Sequence, residues 1–547
     1  MKLHDFLLNV SVIQISGPAT PEITTLAYDS RAVRPGSLFV AIPGTHVDGH
    51  DFIPKAIGQG ATAVVYDNPA RWQDHDGVAG ILVPSARVAL APLAAAFYGH
   101  PGESMRVVGI TGTDGKTTTT WLTSVVLEAG GHSTGLMGTV DFKVGERVWA
   151  NDTRQSTPEA PEVQALLRDM VTAGCDHAVI EATSHALSAR WNRLGGCAFD
   201  VAVLTNVTHE HLDYHGSVEQ YRRDKARLFE MLGESSRQSA VGSRRLATGN
   251  CQLPTGDKQS KIAIVNADDP NHQMFLDAAP AHAQRLRYAV NSQADVRAHD
   301  VHSTRDGLQF RVTSPWGEAQ ARLKLTGDFN VWNVLAALTV AGAEGVPLDV
   351  AVRALEQVPG VRGRMERIEQ GQPFTVLVDY AHTPGAFEKL MRIVRPLTDG
   401  QLIAVFGSAG ERDREKRPVQ GEIAAQFCDF LVITDEDPRR EDSMAIINEI
   451  AAGVERAMTN GTARIRTDVP AAGRDVPPER LYMRIPDRAQ AICAAFAHAR
   501  PGDIVLLLGK GHEGSIIYAD HSLPWNEAEE ARRALREMGF VGEQVSG

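Results

Sequence analysis

Gly112-Thr113-Asp114-Gly115-Lys116-Thr117-Thr118 lies between an apolar run, Val107 to Thr111, and a helix-forming stretch, Trp121 to Ala129. Glycines at these places let backbone N–H groups approach phosphate oxygens, Lys116 adds a point charge, the Thr117 hydroxyl can ligate Mg²⁺, and the helix presents its positive end. The pattern is a phosphate cradle of variant form, because a strict P-loop has its first glycine where this chain has Ile110. An isolated Gly-Lys-Thr also occurs in surface turns that bind nothing. The strand before it and the helix after it favour the nucleotide-binding reading.

A second group of reactive side chains stands at the ends of apolar runs. His177 to Ile180 leads into Glu181-Ala182-Thr183-Ser184-His185, and Val201 to Thr205 leads into Asn206, His209, Glu210, His211 and Asp213. A carboxylate and an imidazole beside the cradle suit a magnesium site bridging nucleotide phosphates and a second substrate. Taken singly, Glu181 or His211 is equally well a satisfied polar group at a strand terminus. Their recurrence on consecutive strands shifts the reading toward function. Lys225, between Arg223 and Arg227, reads by itself as a solvated helix lysine. Asn330 ahead of an Ala-rich helix and Asp379 after the Thr375 to Val378 run are weak signals alone.

The elements that must position these residues fall into three blocks, and 547 residues exceed what one core holds. Residues 1–100 carry short strand-like runs (Ser37 to Ile42, Ala61 to Tyr66, Gly80 to Val83) and the helical Ala86 to Tyr98. Residues 101–360 alternate apolar strands with helical periods, the pattern of a largely parallel sheet covered by helices. Residues 361–547 alternate again, with strands at Thr375 to Val378, Leu402 to Phe406, Phe430 to Thr434 and Asp503 to Leu508, each delivering polar residues at its C-terminal end. The expected class is α/β. Gly233 to Lys261, rich in Ser, Arg, Gly, Gln and Thr, is expected to be a mobile surface loop.

Composition narrows the function. A net charge of −12 disfavours a general nucleic-acid binder, so anionic substrates must meet local positive clusters. No apolar run is long enough for a membrane span, and Met1 to Val12 lacks the basic region of a signal peptide. The five cysteines, scattered without CxxC pairs, read as reduced thiols of a cytoplasmic protein.

In chain order, Thr-Gly-Thr-x-Gly-Lys-Thr, Glu181-x-x-Ser184-His185, His-Leu-Asp-Tyr-His-Gly (211–216), Tyr221-x-x-x-Lys225-x-x-Leu228-Phe229, Phe329-Asn330-x-x-Asn333, Gly363-Arg364-Met365-Glu366, Asp379-Tyr380-Ala381-His382-Thr383-Pro384 and Gly509-Lys510-Gly511-His512-Glu513 closely resemble the Mur ligases of peptidoglycan synthesis. The resemblance spans essentially the whole chain. Asp29-Ser30-Arg31, Pro35 to Ala41, Arg412-Asp413-Arg414 and Asp437-Pro438-Arg439 resemble the members that add the third amino acid. What this implies is three domains: an N-terminal UDP-binding one, a central P-loop ATPase-like parallel sheet, and a C-terminal Rossmann-like one for the incoming amino acid. It implies addition of a diamino acid to UDP-N-acetylmuramoyl-L-alanyl-D-glutamate through an acyl phosphate, with ATP and Mg²⁺. The partners implied are those small molecules, with no nucleic acid and no membrane span, and the protein is expected to be a monomer.

The resemblance also distributes roles. Gly112 to Thr118 cradle ATP, with Lys116 on the β- and γ-phosphates; Asn330, Arg364 and Asp379 meet its adenine, phosphate and ribose side, Arg364 arriving as the third domain closes. Thr117 and Glu181 hold one Mg²⁺, while His211 and Lys225 serve a second. Family members carry a CO₂-derived carbamate on the lysine at position 225, which turns a cation into an anionic oxygen ligand. Ser30, Ser156, Thr157 and Ser184 contact the UDP-muramoyl dipeptide, together with Arg193 or, in an alternative alignment, Arg190. Arg412, Glu436, Asp437, Pro438, Arg439, Gly509 and Glu513 bind the amino acid. A folylpolyglutamate synthase-like ligase would share the chemistry but leave the N-terminal block and Asp437-Pro438-Arg439 unexplained; a non-catalytic ATP-binding scaffold would not need Glu181, Lys225 and His211.

The diamino acid itself is open. Members that use meso-diaminopimelate commonly show Asp-Asn-Pro-Arg, where this chain has Glu436-Asp437-Pro438-Arg439. An ionised Asp437 cannot donate a hydrogen bond, and an acidic pair there would favour an ammonium over a distal carboxylate. On this charge argument L-lysine or L-ornithine is expected, Arg439 then being paired with a neighbour such as Asp437 or Glu441.

Overall fold

The computed structural model describes all residues except 19, 45–46, 154, 209–211, 234–259, 305–306, 465–481 and 542–547. The expected loop from Gly233 to Lys261 therefore lies almost wholly outside the described residues. The chain divides into two compact units, Met1–Ala298 with Val312–Ala319 and Trp332–Ala354, and His299–Arg311 with Gln320–Val331 and Leu355–Gly547.

The first unit holds two sheets. One has the order Gln14–Ser16, Ala79–Leu82, Ala61–Tyr66, Ser37–Val40, Thr25–Ala27, parallel except for its first pair. Ser37–Val40 is buried at every position, as a parallel strand covered on both faces must be. Helix Ala86–Phe97 supplies one cover, and the Ser85 side chain caps it by accepting from Val88 N.

Eight strands of the other, eleven-stranded sheet run in the order Gln284–Ala289, Ile262–Asn266, Val201–Leu204, Arg106–Thr111, His177–Glu181, Thr134–Met137, Asp141–Val144, Arg147–Ala150. The first six strands are parallel, and the last two pairings are antiparallel. Register is what matters here: Ile110 lies opposite Glu181, and Thr111 opposite Leu204. Three strands thus end along one edge, and the cradle, Glu181 and Thr205 emerge side by side.

The second unit is built on the order Glu366–Ile368, Thr375–Asp379, Ile504–Leu508, Leu402–Phe406, Phe430–Ile433, Tyr482–Arg484, with only the first pair antiparallel. The consecutive strands Thr375–Asp379 and Leu402–Phe406 are separated by Ile504–Leu508, and the helices after Thr375–Asp379 and Ile504–Leu508, Pro384–Val394 and Glu527–Glu537, pack on opposite faces of the sheet. In doubly wound sheets the crevice between two such strands takes ligands. The α/β class and the expected strands are all present. The four described cysteines are free thiols. Among the described residues, no helix is long and apolar enough to cross a membrane.

A fully buried ion pair ties the strand ends of the second unit together. Arg488 donates to Glu527 at 2.6–3.1 Å, to Asp435 O at 3.0 Å and to Leu508 O at 2.8 Å, and both side chains are completely shielded. Glu527 also accepts from Trp525 Nε1 at 2.6 Å. Removing one partner of such a pair leaves an uncompensated buried charge. Glu527→Gln is expected to destabilise this unit by about 3 kcal/mol, read as a lowered denaturant midpoint; an unchanged midpoint would show that Arg488 finds other compensation.

Candidate active site

Two glycines shape the cradle by necessity. Gly112 has φ +151°, and a Cβ there would fall 1.8 Å from Thr205 Oγ1; Gly115 has φ +80°, and its Cβ would fall 2.2 Å from Asn333 Oδ1. Those neighbours are also what hold the loop. Thr205 Oγ1 donates to Asp114 O at 2.6 Å, Asn206 Oδ1 accepts from Asp114 N at 3.1 Å, and Thr113 N donates to Asn206 O at 2.7 Å. Lys116 Nζ donates to Gly112 O and Thr113 O at 3.0 and 2.8 Å, which keeps its charge inside the loop. Helix Lys116–Ala129 then starts directly from Gly115 and buries Thr118 in its first turn.

Glu181 is the hub beside it. Its carboxylate accepts from Thr117 Oγ1 at 3.1 and 3.2 Å, from Thr139 N at 3.0 Å and from Thr139 Oγ1 at 2.8 Å. Thr139 Oγ1 lies 2.7 Å from Ser156 Oγ, and Thr157 Oγ1 donates to Glu181 O at 2.9 Å. One network therefore joins the cradle, the expected metal ligand and two expected substrate residues. A carboxylate among hydroxyls is a hard-oxygen donor set, which fits Mg²⁺.

Lys225 is not the solvated lysine that its charged neighbours suggested. It is 1% exposed, donates to Gly112 O at 2.6 Å and stands 4.4 Å over the Tyr221 ring. The reason is helical spacing: Val218–Glu230 buries Tyr221, Asp224, Lys225 and Leu228, while Arg223 faces out. That periodicity was readable in the sequence. His211 lies outside the described residues. Ser184, also buried, lies 3.1 Å from His215 Nε2, whose Nδ1 is 2.7 Å from Asp224 Oδ2. Asp224 and Thr139 were missed as members of the site, while Asn206, His215 and Asn333 stood in the strand-end group or the motifs without a role assigned to them.

Of the two candidate arginines, Arg193 reaches inward and Arg190 is exposed. Arg193 donates to Thr157 O and Gln155 Oε1, each at 3.2 Å, and pairs with Glu159 at 2.9 Å. Arg87 takes the other Glu159 oxygen at 3.0 Å and covers Trp191. Ser30 is buried in the turn Ser30–Ala32, which the Asp29 side chain caps. Among the described residues no hydrogen bond links it to the Glu181 network.

In the second unit the expected residues again sit at strand ends. Asp379 accepts from Met365 N and Ala381 N at 2.8 Å; burial raises its pKa, against the lowering effect of Arg364. Arg364 stacks over Tyr380 at 4.9 Å, and its buried Nε has no acceptor among the described residues. Asn330 Nδ2 donates to Thr326 O at 2.8 Å. Glu436 is buried, its carboxyl pushed up to about 7 by desolvation, with Oε2 beside Gly509 and without a hydrogen-bond partner among the described residues.

Here the charge argument for the acidic pair fails. Asp437 accepts from Lys510 Nζ at 2.9 Å and from Ile517 N at 3.0 Å, and Lys510 also pairs with Glu513 at 2.6 Å. Its charge is met by a lysine far along the chain, which it shares with Glu513. Nor is Arg439 paired with Asp437 or Glu441: Glu441 is held by Arg417 at 2.9 Å, and the half-buried Arg439 has no carboxylate partner among the described residues. Arg412 is exposed on a loop that Gly410 N anchors to Asp437 O at 2.8 Å, next to Pro438.

Comparison with known proteins follows this layout. The Mur ligase family catalytic domain matches residues 22–98, the Mur ligase middle domain 110–341, and the Mur ligase glutamate ligase domain 363–511. A UDP-N-acetylmuramyl-tripeptide synthetase of Roseiflexus sp. (strain RS-1) is 68% identical over 542 residues, 99% of this chain and 100% of its own. A UDP-N-acetylmuramoyl-L-alanyl-D-glutamate–2,6-diaminopimelate ligase of Bacillus velezensis is 39% identical over 95% of each chain. A solved structure of a ligase of the latter name covers 96% of this chain and 98% of its own, with a TM-score of 0.64 at 26% identity. With three family domains in order and near-complete coverage by these relatives, the chain belongs to the Mur ligase family.

Proposed function

We propose that the protein joins a diamino acid to UDP-N-acetylmuramoyl-L-alanyl-D-glutamate at the expense of ATP, releasing ADP and phosphate in the cytoplasm, as a monomer. The observation that carries this is the continuous network Thr117–Glu181–Thr139–Ser156, which sets a nucleotide cradle against hydroxyls suited to a second substrate. Domains of residues 1–100, 101–360 and 361–547 are supported by three main sheets and by the three family matches.

A carboxylate is a poor acyl donor. The γ-phosphoryl group of ATP therefore passes to the D-glutamate carboxylate, giving an acyl phosphate; the amine of the diamino acid attacks that acyl carbon and expels phosphate. Lys116 follows the negative charge that moves along the β- and γ-phosphates. Thr117 and Glu181 would hold Mg²⁺, which neutralises phosphate charge and orients the reacting oxygens. Lys225, packed on the cradle and next to Asp224, is suited to carry a carbamate and to serve a second Mg²⁺ with His211. Ser184 is oriented by His215 and Asp224, and Thr157 by Glu181, while Arg193 supplies the positive charge for the anionic peptide. Asn330, Arg364 and Asp379 serve the nucleotide. Arg412, Glu436, Gly509 and Glu513 receive the reacting end of the diamino acid.

Two tests address this directly. ADP release should require both the UDP-muramoyl dipeptide and a diamino acid; release with either alone would overturn the reading. Lys225→Ala should lower turnover by at least about two orders of magnitude, roughly 3 kcal/mol, leave ATP binding largely intact, and be partly rescued by short carboxylates. Undiminished turnover would remove Lys225 from the site.

Asp437, paired with Lys510, and Arg439, with no carboxylate partner among the described residues, reverse the earlier expectation and support meso-diaminopimelate over L-lysine or L-ornithine. Arg439 would meet the distal carboxylate through a charge-assisted hydrogen bond. Arg439→Met is expected to cut kcat/KM for meso-diaminopimelate about 100-fold while changing that for L-lysine little. Equal losses for both amino acids would exclude Arg439 as the selector.

A further inference from the structure

The strand that ends in Glu181 begins at His177, and its opposite end carries a cluster the ligase reaction does not use. His177 Nδ1 lies 3.0 Å from Asp176 Oδ1, and His132 Nδ1 lies 3.3 Å from Asp176 Oδ2. The two imidazole centroids are 4.4 Å apart, and one ligand atom from each of the three residues falls within 4.8 Å of the others. The backbone fixes this arrangement, because Asp176 N and His177 N both donate to Ser133 O, next to His132.

Behind the cluster stands a built outer layer. His177 Nε2 lies 3.2 Å from Glu344 Oε2, and Arg106 holds that carboxylate through Nε at 3.0 Å and through Nη2. A histidine that donates Nε2–H to a carboxylate presents its Nδ1 lone pair on the other side. Here that lone pair faces another carboxylate, Asp176. Two such groups repel unless a cation stands between them, either a second proton on the ring or a metal ion. His132 Nδ1 reaches the other oxygen of the same carboxylate, at 3.3 Å. His177 is buried, whereas His132 and Asp176 are about a quarter exposed, at 28% and 27%, so an ion can enter and keep a water ligand.

We propose that His132 Nδ1, His177 Nδ1 and the Asp176 carboxylate bind one zinc-class divalent transition-metal ion, at the end of the sheet opposite the phosphate cradle. Two imidazoles with one carboxylate suit Zn²⁺, with a fourth position left to water, and disfavour Mg²⁺ and Ca²⁺, which prefer all-oxygen sets. The ion would tie the turn after helix Lys116–Ala129 to the start of a central strand, a structural role independent of the reaction proposed above.

The test uses the full chain, stripped with chelator and dialysed against Zn²⁺ with excess Mg²⁺ to occupy hard-oxygen sites. The wild type should retain one more equivalent of Zn²⁺ than His132→Ala or Asp176→Asn. Co²⁺ should give visible tetrahedral bands that are about tenfold weaker or absent in His132→Ala. His132 lies at the rim, so His132→Ala should keep its ligase turnover, which serves as the folding control. Equal retention in the wild type and a folded His132→Ala, including none in either, overturns the proposal and assigns the position to a proton.

Discussion

A carboxylate shielded from water at the end of a central strand must be met by donors, and much of this molecule's nucleotide-binding half answers that demand. Glu181 is 2% exposed, and an unpartnered charge there would cost several kcal/mol. Three donors from two segments meet it: Thr117 from the cradle and Thr139, by backbone and side chain, from the chain after strand Thr134–Met137. Its own carbonyl is taken by Thr157. Each donor brings its segment along, so satisfying one charge fixes the start of helix Lys116–Ala129 and the segment that bears Ser156. The same requirement leaves hard oxygens gathered where a phosphate-bound cation would sit.

How much of this was legible depends on how far apart the partners are. The cradle is local: its glycines, its lysine and the strand-to-helix change sit within a dozen residues, and only Asn333 and Thr205 were needed to show why glycine is obligatory. Lys225 was half legible. Its spacing from Tyr221 and Leu228 marks the inner face of a helix, but flanking arginines suggest a wet surface, and periodicity outweighs local charge when the helix has a core to cover. Thr139 carried no signal, and Asn206 and His215 carried a place in a pattern but no role, because a lone hydroxyl, amide or imidazole acquires a role only when the fold supplies its partner. Arg193 was distinguishable from Arg190 only once Thr157 and Glu159 were in place.

The second unit shows why a pair of acidic letters is a poor guide to charge. Glu436 and Asp437 are adjacent in sequence yet have opposite fates: desolvation moves Glu436 toward its neutral form, while Lys510 compensates Asp437. The deciding lysine is 73 residues away. Arg417 and Arg488 act similarly as buried cations that bind carbonyls and carboxylates from several loops, and they brace the strand ends. Buried charges of this kind add little net stability over apolar packing, but they demand specific partners. They therefore specify loop positions, which is what a binding edge made of loops requires.

Strand His177–Glu181 states the general point at both its ends. At the C-terminal end a carboxylate is surrounded by hydroxyls, and at the N-terminal end an imidazole is surrounded by carboxylates. Neither end can be left bare, since His177 and Glu181 are both buried residues. The chemistry of the compensation differs with the donor set: oxygens alone select a hard ion that keeps its phosphate ligands, whereas nitrogens select a borderline one that grips the protein. A single buried strand can thus present two cation preferences, set by its two terminal residues and the partners that the sheet register brings to them.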